Sequence, residues 1–223
     1  MKYYEELQKA MSLLAEHPKT VFIGQAVEYE GTGLFDSMKH LPAEKKIELP
    51  VAEYLQSGMA NGMAIEGMIP ISTFPRWNFL LMGTDQIVNH LDKFITMSSG
   101  KCNPKVIIRV AVGSEHPVDP QCQHKGNFTN AFRNLLKNIS IYELHEPWEI
   151  VPQYQKAFNK ADLDYRSGTG IYAPIAYEQN NSRKQQFEND GRNLWMLNTL
   201  KVNKKIHYPN VITAYPRKVI GIL

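Results

Sequence analysis

Short apolar runs alternate with helical periodicity along most of this 223-residue chain, and that alternation limits its possible folds more than any other feature. The clearest run is Val106 to Val112 (VIIRVAV). Shorter ones lie at Thr20 to Gly24 (TVFIG), Ile47 to Leu49, Met68 to Thr73 (MIPIST) and Ile139 to Leu144. A strand apolar at nearly every position needs cover on both faces. Tyr4, Leu7, Met11 and Leu14 predict an amphipathic helix over residues 2–16, stopped by Pro18. A helix is expected from near Val51 to about Glu66. A mostly helical stretch from Trp77 to Thr96 follows, with Phe79, Met82, Ile87 and Leu91 turned inward. Further helices are expected at Phe128 to Leu136 and Pro147 to Ala161, while Gln25 to Lys46 reads as a loop-rich connection. This order predicts an α/β three-layer sandwich, a mostly parallel sheet with helices on both faces.

The pattern holds over residues 1–161 and then changes. Gly168 to Glu178 supplies one more strand, Gln179 to Asn193 is polar, and Val211 to Ile222 holds two short strand-like runs. Residues 162–223 are therefore expected to form a C-terminal extension, an edge strand or an arm. The formal charge of +3 is spread over scattered Lys and Arg, which argues against a nucleic-acid partner. Two cysteines, Cys102 and Cys122, cannot build a disulfide framework, and the start MKYYEE lacks the basic and apolar regions of a secretion signal. Glu66 interrupts the best apolar stretch, so no membrane span is expected. The chain reads as cytoplasmic and reduced.

The segment Glu48 to Gln86 carries the chemistry. Leu49 precedes Pro50, which favours an extended approach to the next helix. Glu53 then falls in the first turn, where free N–H groups favour an acid. Two readings stand: a first-turn acid, or a functional carboxylate beside the apolar wall of Trp77-Asn78-Phe79. Phe79 taken alone reads as core more often than as a cofactor contact. Gly58 and Gly62 each cost a helix about 1 kcal/mol relative to alanine, which a close backbone approach, within the chain or from a partner, would offset. His116, Cys122 and His124 place three soft ligands within nine residues but lack a fourth, so no metal site is assigned to this chain. Gly168-Thr169-Gly170…Ala173 follows no clear strand and opens no helix, which makes it a poor dinucleotide fingerprint.

Taken in order, several of these segments form a pattern. It comprises Val21-Phe22-Ile23-Gly24, Leu49-Pro50-Val51-Ala52-Glu53, Glu66-Gly67-Met68-Ile69-Pro70-Ile71, Phe74, Asn78-Phe79, Asp85-Gln86, Gln123-His124 and Pro147-Trp148. In that order and spacing they resemble the pyrimidine-binding domain of the transketolase-like thiamine diphosphate enzymes. Within those enzymes they are most similar to the beta subunit of the decarboxylating component of 2-oxo acid (pyruvate) dehydrogenases. The resemblance implies that Glu53 hydrogen-bonds the pyrimidine N1′ atom and that Val51 and Phe79 hold the ring. It also implies that His124 faces the reacting centre. A carboxylate at that place favours the tautomer whose exocyclic nitrogen removes the thiazolium C2 proton, and it works best partly desolvated. The implied reaction cleaves a carbon–carbon bond next to a carbonyl, by 2-oxo acid decarboxylation or ketol transfer. The family also needs a Gly-Asp-Gly motif followed by Asn to hold the diphosphate and Mg²⁺. Here Asn189-Asp190-Gly191 is the nearest sequence, so an alpha-type partner is expected to supply that site in an α2β2 assembly. Self-association of the chain, or a role as a non-catalytic assembly or regulatory subunit, are the other implications. Tyr54-Leu55-Gln56 and Pro75-Arg76-Trp77 depart from the family's pattern. Arg76 suits either a carboxylate or phosphate, or an interface.

Overall fold

Six strands form one sheet in the order β2-β1-β3-β4-β6-β5, and every adjacent pair is parallel. They are β1 (Thr20–Gly24), β2 (Lys46–Glu48), β3 (Ile69–Phe74), β4 (Ile107–Ala111), β5 (Ile141–Leu144) and β6 (Ile175–Glu178). The computed structural model describes residues 2–112, 119–167 and 175–178. Parallel pairing requires a crossover after each strand, and helices supply it.

The alternation of side chains along the strands assigns each helix to a face. Val21, Ile23, Phe74, Ile108 and Val110 point into one core. They meet Ala60 and Ala64 of α3 (Glu53–Ile65), Trp77 and Leu80 of α4 (Trp77–Leu80), and Phe132 of α6 (Thr129–Leu135). Phe22, Ile71 and Ile107 point to the opposite core. There they meet Tyr3, Leu7, Met11 and Leu14 of α1 (Tyr3–Ala15) and Met38 of α2 (Gly33–Met38). Ile150 and Tyr154 of α7 (Pro147–Ser167) close that layer. Tyr3 is fully buried, and its hydroxyl donates to the Leu144 carbonyl at 3.1 Å, tying α1 to the end of β5. The architecture is the three-layer α/β sandwich expected from the sequence.

Three segments differ from expectation. The loop-rich connection contains α2, because the Thr32 hydroxyl caps it by accepting from the Phe35 N–H. The stretch from Trp77 to Thr96 is not one helix. It breaks into α4, a 3-10 turn at Leu81–Gly83, a π-helical segment at Gln86–Leu91 and α5 (Phe94–Met97). The change of phase leaves Ile87 and Leu91 buried but turns Met82 out to 67% exposure. Third, the extension is not confined to an edge or arm. β6 lies between β4 and β5, and α7 runs past residue 161 to Ser167. A four-residue strand at an edge would leave one row of its backbone groups unpaired, whereas here both rows are used. Residues 168–174 and 179–223, with the strand-like runs expected at Val211 to Ile222, lie outside the described residues.

Asp92 fastens the two ends of this layer. Its carboxylate is fully buried, and Oδ1 accepts from the backbone N–H groups of Lys137, Asn138 and Ile139 at 3.0, 2.7 and 3.2 Å. Lys93 Nζ pairs with Oδ2. Removing that acceptor leaves three backbone donors to find water or stay unpaired. Asp92→Ala is therefore expected to lower unfolding free energy by about 3 kcal/mol, given ~1–3 kcal/mol per buried unsatisfied group. Urea denaturation followed by circular dichroism measures it.

Candidate active site

In parallel sheets with helices on both faces, ligands gather beyond the carboxyl ends of the strands. That edge here is formed by Gly24, Glu48, Phe74 and Ala111, and it collects the residues singled out from the sequence. Gly24 ends β1 at φ +130°, a conformation open to glycine. A Cβ there would lie 2.3 Å from the Thr73 carbonyl oxygen and 2.5 Å from Gln56 Nε2. This close approach lets the chain turn so that the Gln25 N–H donates to the Thr73 carbonyl at 3.3 Å. Gln25 is itself buried, and its Nε2 donates to Glu53 Oε1 at 3.2 Å.

Glu53 is the first residue of α3 and is 8% exposed. Its carboxylate is thus held between the α3 N-terminus, which favours negative charge, and the amide of Gln25. Gln56, one turn on, is fully buried and donates to Ser72 Oγ at 3.0 Å and to the Thr73 carbonyl at 2.9 Å, which anchors α3 on the end of β3. Next to it, Glu48 at the end of β2 accepts from the backbone N–H groups of Ala26, Val27 and Glu28 at 2.7–2.8 Å. That clasp fixes the loop after Gln25, including the left-handed Ala26 at φ +58°.

The second half of the edge comes from the segments that follow β3 and β4. Phe79 of α4 meets His124 edge-on, with ring centroids 5.3 Å apart. His124 closes a 3-10 turn at Cys122–His124, and its Nδ1 is buried without a hydrogen-bond partner. A buried nitrogen of that kind calls for an explanation, and a ligand group is one. Arg76, just before α4, is 8% exposed, and its Nη1 donates to the His124 carbonyl at 3.2 Å. Burial pushes this guanidinium below its ordinary value, yet arginine stays charged at any physiological pH. The two halves meet where the Leu81–Gly83 turn packs on α3. A Cβ on Gly83 would touch Ser57 Oγ at 2.3 Å and the Glu53 carbonyl at 3.2 Å.

Of the expected site residues, Phe79 and His124 are in direct contact, and Glu53 sits on the adjoining helix. Val51 is 79% exposed in the connection before α3. Within the chain no close approach occurs at Gly58 or Gly62: a Cβ on Gly62 would have nothing within 4 Å, and one on Gly58 would meet the Gln86 side chain at an ordinary 3.5 Å. His116 lies outside the described residues. Among the described residues no group of three or more His, Cys, Asp or Glu is gathered as metal ligands, and no helix is long and apolar enough to cross a membrane. Sequence reasoning missed Gln25, Glu48 and Gly24. The local signal is only that each lies in or just after an expected strand; that those strand ends share an edge with Glu53 follows from the strand order.

Known proteins resemble part of the chain in sequence and most of it in fold. The beta subunit of the pyruvate dehydrogenase E1 component from Rickettsia conorii is 30% identical over 151 residues, 64% of this chain and 45% of that protein. The mitochondrial beta subunit of Drosophila melanogaster is 28% identical over 141 residues, covering 60% and 37%. That of Saccharomyces cerevisiae is 31% identical over 132, covering 53% and 35%. The chain is a homologue of these beta subunits. Among solved structures, a split gene transketolase described as an inactive beta4 tetramer has a TM-score of 0.54 at 20% identity, covering 79% of this chain and 50% of that one. That likeness concerns the fold, which is transketolase-like. No family model matches. The beta-subunit homologue spans less than half the length of the curated relatives it matches.

Its edge depends on the Gly24 turn. Gly24→Ala is expected to destabilise the protein by at least about 2 kcal/mol, from a strained φ together with displacement of Thr73 and Gln56. Gln56→Ala alone should also destabilise, since it removes the bonds to Ser72 and Thr73, and the double variant should lose less than the sum of the two because one of the two clashes is gone. Thermal melting of the single and double variants measures both.

Proposed function

We propose that this beta-subunit homologue is the pyrimidine-binding half of a two-polypeptide thiamine diphosphate enzyme that cleaves a carbon–carbon bond next to a carbonyl. One observation carries the reading. A buried carboxylate, Glu53, stands at the carboxyl edge of the sheet with an amide holding one oxygen, and an aromatic–imidazole pair, Phe79 with His124, stands on the segments that follow β3 and β4 at the same edge. These donors suit an aminopyrimidine. Glu53 presents an oxygen that can share a proton with a ring nitrogen, and Phe79 offers an apolar face to a flat ring. Val51 is open to a ring or to a partner chain. When bound, the cofactor supplies an electron sink for the carbon–carbon bond being broken.

This chain's own residues would bind, orient and move protons. Gln25 Nε2 donates to Oε1 of Glu53, and the other carboxylate oxygen would share a proton with the ring nitrogen. Partial desolvation strengthens that hydrogen bond relative to one in water. His124 would serve the substrate through its buried Nδ1, accepting or donating a proton at the carbonyl carbon's oxygen. The diphosphate and Mg²⁺ would be held mainly by an alpha-type partner, with the active site between the two chains in an α2β2 assembly. We place the boundary of the pyrimidine-binding domain near residue 161, with residues 162–223 an extension that contributes β6, and we place the protein in the cytoplasm.

A second reading has an observation behind it too. A transketolase beta-type chain that is solved as an inactive tetramer of beta subunits shares this fold. A chain of this shape can therefore assemble without activity, as an assembly or regulatory subunit would.

Calorimetric titration of thiamine diphosphate with Mg²⁺ separates the two. Binding is expected only in the mixture with the alpha-type partner, and Glu53→Ala is expected to abolish it. A stable complex that binds no cofactor would favour the non-catalytic subunit. In the active mixture, Glu53→Gln is expected to lower turnover at least roughly 100-fold, the scale of one lost proton-transfer group. Its circular dichroism spectrum should not change.

A further inference from the structure

Arg76 is a charged side chain buried at 8% exposure, and the proposed chemistry leaves it without a task. Burying a guanidinium is costly unless its N–H groups are bonded. One of them donates to the His124 carbonyl at 3.2 Å. Two residues further along each segment, the Gly126 N–H donates to Asn78 Oδ1, again at 3.2 Å. The two bonds run in parallel, each linking parts of the chain 48 residues apart. Between them the imidazole of His124 is pressed edge-on to the Phe79 ring. The fit has little slack. A Cβ on Gly126 would come within 2.5 Å of the Phe128 ring and 3.0 Å of Asn78 Nδ2. The turn is entered through Gln121 at φ +61°, a left-handed conformation that a non-glycine residue holds only when its surroundings impose it.

We propose that Arg76 is a positioning residue: with Asn78 it clamps the Cys122–Gly126 segment onto α4 and so fixes the His124 imidazole beside Phe79. The proposal rests on the reading of His124 as the residue that serves the substrate. A planar guanidinium can hold a backbone carbonyl at a fixed angle while its other N–H groups serve different contacts. A lysine ammonium at the end of a flexible stem does this less well. The clamp also makes the cofactor-facing aromatic and the substrate-facing imidazole one unit, so that both move if either bond is lost.

The test uses the full chain with 15N-labelled histidines, in which the His124 imidazole signals are assigned by their loss in His124→Ala. Phe79→Leu removes the ring current and marks how far those signals travel when the ring contact is gone. Arg76→Gln is expected to move the His124 signals in the same direction while those of the other histidines hold still, and Arg76→Lys is expected to restore them partly. With the alpha-type partner, cofactor and substrate, Arg76→Gln should lower kcat roughly 10- to 100-fold, the scale of an ångström-sized misplacement. KM should stay within about twofold, because the loss concerns the transition state and not uniform binding. Thermal melting checks that the variants fold; where Arg76→Gln does not, Arg76→Lys and Asn78→Ala carry the same comparison. Unmoved His124 signals in a folded Arg76 variant would overturn the clamp while His124→Ala still abolished turnover. Moved signals with full turnover in His124→Ala would instead remove His124 from the chemistry, and the positioning role with it.

Discussion

The close packing of Gly24 against Thr73 and Gln56 is the constraint on which the edge of this sheet depends. Three separate requirements meet there. β1 must stop, α3 must dock on the end of β3, and Gln25 must turn its amide toward Glu53. A single Cβ would obstruct all three, since the space it would occupy is already filled by a carbonyl oxygen and an amide nitrogen. The backbone, and not a set of long side chains, therefore sets where the carboxylate stands. Glu48 completes the arrangement from β2 by gathering the N–H groups of the following loop, which otherwise have no strand or helix to bond to.

In the segments after β3 and β4 the organising element is different. The Phe79–His124 pair is held by hydrogen bonds between residues nearly fifty positions apart and by a turn with one strained backbone angle. One half of the edge is thus built from strand ends and the other from a short helix and a loop. Gly83 joins them, because its missing side chain is what lets the Leu81–Gly83 turn sit on Ser57 and the Glu53 carbonyl. A ligand seated between the halves would touch both kinds of structure.

The sequence announced the layers well because both signals it offers, period and composition, are local. Leu7, Met11 and Leu14 face one core at helical spacing, and Phe22 and Ile23 alternate between the two cores at strand spacing. The stretch after Trp77 misled because apolar residues at near-helical intervals do not reveal a switch to 3-10 and π geometry. That switch is made by packing at Gly83 and shows in the exposure of Met82. Ordered resemblance picked out Glu53, Phe79 and His124 as candidates, and it did not pick out Gln25 and Glu48. Their importance lies in which strand ends are neighbours, and strand order is a property of the whole chain. The same reason explains β6: four residues carry too little pattern to say that they pair on both sides.

The position of β6 has a consequence for how the sheet is completed. The neighbours β2, β1, β3 and β4 all come from the first 111 residues and can zip together through successive crossovers. β5 cannot join them, since its pairing partner in the sheet is β6, which is synthesised some thirty residues later. Until that segment emerges, no strand pairs with β5, which is held through side chains, the Tyr3 hydroxyl and the Asp92 bonds to residues 137–139. Assembly on the ribosome then has two acts, an early four-stranded half and a late keystone. In the interval between them the open flank of β4 is the exposed strand edge that this chain must protect.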